Sequence, residues 1–192
     1  MERSHRYTRT AMAMHWLVAL LIIGNVALVW IIDWLPDGAV RQAIDVHKST
    51  GLTVLGLVLL RILWRLGHQP PPLPTSYPAL ERRGAHAAHL VLYGLMLGLP
   101  LSGWLHDSAF KDAALHPLTI FGLPWFRIGV LASLDPVAKE QAHAFWFAVH
   151  SYLGWGLYAL VALHIAGALK HQFVDRHGEF GRMLPWGRAD GA

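Results

Sequence analysis

The chain contains no cysteine. That absence excludes disulfides, thiolate metal sites, iron–sulfur clusters and thioether-attached haem, because each needs cysteine sulfur. Charge is scarce as well. Only 15% of the 192 residues are Asp, Glu, Lys or Arg, where a soluble domain carries about a quarter. The long apolar stretches hold no carboxylate at all, which leaves them without the usual hard-metal ligands. What the chain has instead is a 54% hydrophobic content, nine tryptophans and thirteen histidines. Tryptophan has an ordinary place in the headgroup belts of a membrane protein, whereas histidine has no routine use in lipid.

A net charge of +4 does not point to nucleic acid, since the basic residues flank apolar segments rather than forming one stripe. Four segments are long and apolar enough to cross roughly 30 Å of hydrocarbon, which takes about 20 helical residues. They run near 11–32, 47–66, 86–106 and 146–170. The first begins only after residue 10 and has no small-residue cleavage signature behind it, so it reads as a retained helix. The expectation is an all-α integral membrane four-helix bundle, with residues 1–192 forming a single membrane domain.

Between the second and third spans, residues 67–85 are proline-rich, "GHQPPPLPTSYPALERRG", and cannot propagate a helix. Between the third and fourth, residues 107–145 form a long loop with apolar patches such as "LTIFGLPWFRIGVLA". Pro124 and Arg127 interrupt that patch too early for a fifth span, so it is expected to lie along the interface or cap the bundle. Arginine and lysine set the orientation. Arg3, Arg6 and Arg9, then Arg61, Arg65, Arg82 and Arg83, then Lys170, Arg176, Arg182 and Arg188 fall on one side of a four-span topology. The opposite loops are diluted by aspartate. Both termini and the proline-rich loop are therefore expected in the cytoplasm, and loop 107–145 in the periplasm.

Each histidine then has a depth. His150 and His164 are fourteen residues apart, within roughly 40° of four full turns, so they share a face with Cα atoms about 21 Å apart along the axis. His15 in "AMAMHWLVALLIIG" matches the depth of His164, and His47 in "DVHKSTG" lies near that of His150. His143 and His171 fall beyond the hydrocarbon edge. A single buried histidine is most simply a hydrogen-bonded core residue. Two depth-matched pairs from three helices point further, because an imidazole in lipid is kept where it has a partner.

Two histidines without cysteine or carboxylate make an incomplete structural zinc site. Haem brings four nitrogens of its own, and two axial imidazoles complete a six-coordinate iron suited to electron transfer. The expected axial pairs are His15 with His164 and His47 with His150. Gly51, Gly56, Gly154 and Gly156 lie within two turns of His47 or His150; they offer either room for a macrocycle or close helix packing. Lys48 and Ser49 on one side, and Arg9, Arg61 and Arg65 on the other, are placed to meet propionates, or simply snorkel. His89 is a further candidate for a propionate or quinone contact. Spacing alone leaves His89 and His106 open as ligands.

Taken in order, "RYTRTAMAMHWL", "DVHKSTGLTVLGLVLLRILWRL" followed by "PPPLP", "HAAHLVLYGLMLGLPLSGWL" and "VHSYLGWGLYALVALHIAGALKHQF" resemble the bacterial cytochrome b561 family over nearly the whole chain. The resemblance implies two b-type haems ligated at His15, His47, His150 and His164, and exchange of electrons with ubiquinone or ubiquinol. Some members of that family resemble superoxide–quinone oxidoreductases, which implies a periplasmic redox partner. The related b-type subunits of nickel–iron hydrogenases and formate dehydrogenases make a subunit of a larger oxidoreductase the alternative within the same class. From other classes, a histidine-rich metal-cation transporter predicts metal without a haem spectrum, and a structural membrane anchor predicts a colourless protein.

Overall fold

The structure is a computed structural model and describes residues 6–72, 77–176 and 178–184. Arg3, Arg188 and residues 73–76 of the proline-rich loop lie outside the described residues.

Four long helices carry the chain: α1 (Arg9–Ile31), α2 (Asp37–Gly67), α3 (Ala79–Ser108) and, after a long connection that holds the single-turn α4 (Gly129–Ala132), α5 (Pro136–Leu169). Each is long and apolar enough to span a membrane. Three of them begin well before their apolar runs. Helix α2 starts ten residues ahead of His47, behind Pro36, and α3 starts behind Pro78. Helix α5 starts at Pro136, where the Asp135 carboxylate accepts from the main-chain nitrogens of Val137 and Ala138, both at 3.0 Å. Proline in the first turn and an aspartate cap are ordinary helix starts, and the polar turns that follow carry the helices beyond the apolar runs.

Few residues are buried, as expected of helices that face lipid. The main apolar cluster is Val18 of α1 with Val54 and Val58 of α2, joined by Tyr93, Met96 and Leu97 of α3. Helix α1 packs on α2, α2 on α3, and α3 on α5. Neither α1 nor α2 packs closely against α5 at the main-chain level among the described residues. The fourth span therefore leans on the third and leaves separations from the first two.

The connection from α3 to α5 holds a two-residue antiparallel pair, β1 (Thr119–Ile120) and β2 (Leu123–Pro124), and a single turn, α4 (Gly129–Ala132). At the opposite end, a five-residue π-helical segment (Lys170–Val174) and a short helix, α6 (Glu179–Met183), complete the described chain. Tyr7 donates its main-chain N–H to the carbonyl of Arg182, and the Trp16 indole donates to the carbonyl of Met183. Arg182 itself donates to the carbonyls of Pro71 and Pro72. The N-terminal segment, the proline-rich loop and the C-terminal segment thus meet at one end, here the terminal end. The hairpin and α4 lie at the other, here the loop end.

Candidate functional site

Both depth-matched histidine pairs come together across the separations that α5 leaves. The rings of His15 and His164 have centroids 6.4 Å apart at 69°. Those of His47 and His150 are 6.1 Å apart at 86°. The first pair joins α1 to α5 and the second joins α2 to α5, the two helix pairs that do not pack closely.

The histidines are supported unequally. His150 directs Nδ1 at the main-chain carbonyl of Leu99, 3.0 Å away, with the Ser102 hydroxyl at 3.1 Å. A carbonyl can only accept, so the proton is on Nδ1 and the lone pair is on Nε2. Leu99 immediately precedes Pro100, the proline inside α3. On the same face, a Cβ at Gly103 would stand 3.1 Å from the His150 ring, so glycine there admits the imidazole. The buried Nδ1 atoms of His15 and His47 make no hydrogen bond. Such atoms are uncommon in a folded protein and call for a partner.

The four glycines divide. A Cβ at Gly51 or Gly56 would meet nothing within 4 Å, whereas one at Gly154 or Gly156 would touch Leu99 or Leu95. Space lies on the α2 side, and close packing joins α5 to α3.

At the terminal end, His89 places its ring 5.4 Å from that of His164. Arg61 acts electrostatically on His15, His89 and His164. Arg61 and Arg65 both lie over the Tyr93 ring, at 5.6 and 5.7 Å. Neither has a carboxylate partner among the described residues. They line a cavity of about 360 Å³ together with Arg6, Trp64 and Tyr93. Arg9, by contrast, is exposed in the first turn of α1 and does not line it.

At the loop end, Lys48 is held by carboxylates. Its Nζ lies 3.0 Å from Asp107 and 3.3 Å from Asp45. Arg127 approaches the second oxygen of buried Asp107 at 2.9 Å and donates to the carbonyls of Ala113 and His116. Nothing in the spacing of the sequence signalled this cluster. His106 is paired with His143. It stacks on His143 at 3.7 Å, and each ring donates Nδ1–H to the other's main-chain carbonyl at 3.0 Å.

Among the described residues, Glu81, His171 and Asp175 also converge closely enough to hold a metal ion. The Lys170 ammonium already bonds both carboxylates, at 3.1 and 2.9 Å, and the group lies at the helix ends rather than between spans.

Four apolar helices with two half-buried histidine pairs, one toward each end, define a multi-pass membrane protein, consistent with the bacterial inner membrane. Residues 6–186 match the profile of the prokaryotic cytochrome b561 family, and the chain belongs to that family. It is 36% identical over 182 residues to cytochrome b561 homolog 2 of Escherichia coli (strain K12), covering 93% of this chain and 91% of that protein. It is 26% identical over 180 residues to a protein of Yersinia pestis named probable superoxide oxidase CybB, covering 94% and 96%. Cytochrome b561 homolog 1 of Escherichia coli is 23% identical over 183 residues, covering 94% and 98%.

Proposed function

We propose that the chain is a di-haem b-type cytochrome that carries electrons across or within the inner membrane and exchanges them with the quinone pool. The observation that carries this reading is the separation of the two imidazole pairs. A ring nitrogen sits about 2 Å from a first-row metal and about 1 Å from its own centroid, so two axial imidazoles on one ion hold centroids about 6 Å apart. The values here are 6.4 and 6.1 Å. The orphaned ring nitrogens and the open space at Gly51 and Gly56 support the same fit.

In this reading His15 with His164 would hold one haem iron and His47 with His150 the other. A bound b-type haem would supply one-electron chemistry. The chain's own residues orient and insulate it. Leu99 and Ser102 fix the His150 tautomer, as hydrogen-bond partners of metal-bound imidazoles commonly do. Arg61, next to the terminal-end pair and without a carboxylate of its own, offers a cation to a propionate. His89, whose ring lies 5.4 Å from that of His164, is the candidate contact for a propionate or a quinone headgroup. Lys48 reaches a propionate only in competition with Asp107 and Asp45.

The basic terminal end faces the cytoplasm in this assignment, and the loop end faces the periplasm. A small periplasmic donor then approaches the His47–His150 end, and the name of the Yersinia relative makes superoxide the first to test. The deciding experiment is haem extraction from purified wild type, His150→Ala and His164→Ala. The expected result is two haems per chain in wild type and the loss of one in each variant. Full retention of both in either variant overturns the ligand assignment.

A further inference from the structure

Residues 117–126 hold no ionisable side chain, yet their largest apolar groups are not buried. Phe121, Leu123, Trp125 and Phe126 are 62, 72, 40 and 60% exposed. A contiguous apolar patch of this kind marks an interaction surface.

The turn carrying the patch is strained. Phe121 has φ +48° and Gly122 φ +86°, the pair of left-handed residues of a two-residue hairpin. Asn, Asp or Gly normally fills the first of these positions, and a bulky residue there is an outlier. Phenylalanine is a poor choice for the turn, so its side chain is kept for what it meets.

The place where the hairpin docks identifies what that is. The Ser49 hydroxyl accepts from the Phe121 N–H at 3.0 Å and lies 3.2 Å from the Thr119 carbonyl oxygen. Ser49 stands two residues ahead of residues 51–60 of α2, which carry no charge. The hairpin is therefore held at the edge of the apolar part of a spanning helix. On its other side the Trp104 indole donates to the Phe126 carbonyl at 2.9 Å. The rings of Trp104, Trp125 and Phe126 lie 5.0 to 6.0 Å apart. Clustered Trp and Phe at the end of apolar helices are the composition of a membrane interface. The base of the hairpin is fastened, because Arg127 turns back to Asp107 and to the carbonyls of Ala113 and His116.

We propose that the 119–126 hairpin is a membrane anchor, with Phe121, Leu123 and Phe126 set into the lipid boundary of the loop-end leaflet beside α2 and α3. Lipid is the occupant because residues 117–126 themselves offer no charge with which a protein partner could be selected and are fastened where the uncharged run of α2 begins. The polar turns of α2 that carry Arg41 and Asp45 border Phe121 and Gly122 on the other side, as at a membrane boundary.

The absence of cysteine makes the test direct. Single variants Leu123→Cys and Phe126→Cys of the full-length protein are nitroxide-labelled in phosphatidylethanolamine–phosphatidylglycerol vesicles. Collision with oxygen, which concentrates in lipid, is compared with collision with a water-soluble nickel chelate. Lys111→Cys and Leu60→Cys serve as the aqueous and mid-span references. The expected oxygen-to-nickel ratio at 123 and 126 is several-fold above that at 111 and shifted toward that at 60. A ratio equal to that at 111 places the hairpin in water and overturns the proposal. Shielding from both reagents does the same in favour of a protein partner or a second copy.

Discussion

The His150 ring donates Nδ1–H to the Leu99 carbonyl 3.0 Å away, which ties a residue of the fourth span to the residue just ahead of Pro100 in the third. The bond fixes the tautomer and the ring orientation, and leaves the lone pair on Nε2. Gly103 completes the seat. In Gly103→Val, branched carbons would occupy space that a lone Cβ already contests at 3.1 Å, so the ring must rotate off the Leu99 bond. Loss of the loop-end haem is expected, with the terminal-end haem retained, as measured by haem per chain and by redox titration. Ser102→Ala keeps the carbonyl bond, so both haems should stay with a shifted midpoint in one.

Asp107 predicts a stability effect without any cofactor chemistry. Its buried carboxylate neutralises both Lys48 and Arg127. Removing it in Asp107→Ala leaves Lys48 with Asp45 alone and Arg127 with carbonyl acceptors alone, a loss toward the low end of the about 3–5 kcal/mol for a buried pair broken on one side. Thermal unfolding in detergent checks this. A melting temperature within error of wild type would show that the cluster is dispensable.

Acid acts at the other end. The Asp175 carboxyl is held below the usual carboxylate range, first by its hydrogen bond from Lys170 and then by His171. A depressed carboxylate contributes stability that is present above its unfolded value and lost as the pH falls through its folded value. Wild type is thus expected to exceed Asp175→Asn in stability near neutral pH, with the difference closing in acid. The pair is exposed, so the effect is small. A difference that does not change with pH counts against the ionic clasp.

The ring planes of the two pairs are 69° and 86° apart. Near-perpendicular axial imidazoles give a ferric haem a highly anisotropic low-spin electron paramagnetic resonance signal, and both haems should show it. A rhombic signal typical of parallel rings would mean that the ligands reorient on binding.

Much of this was legible in the sequence, for a physical reason. Helix rise fixes axial depth, so the partners of His15 and His47 follow from residue counting once spans are placed. What depends on side-chain reach across helices did not follow. Lys48 reads as free for a propionate until Asp107, 59 positions later, is brought to it. The stacking of His106 on His143 of α5, 37 positions later, is likewise invisible to residue counting. The glycines near His47 and His150 look alike in the sequence, yet one pair borders space and the other borders leucine. The apolar runs mark the spans and not the helix ends: α2, α3 and α5 begin earlier, behind Pro36, Pro78 and Asp135.

The central claim is that each imidazole pair holds one haem. The measurement that tests it most directly is the dithionite-reduced minus air-oxidised visible spectrum of the purified protein, with haem extracted and counted per chain. The account predicts two b-type haems with low-spin reduced bands. A colourless protein, expressed with ample haem, would contradict it.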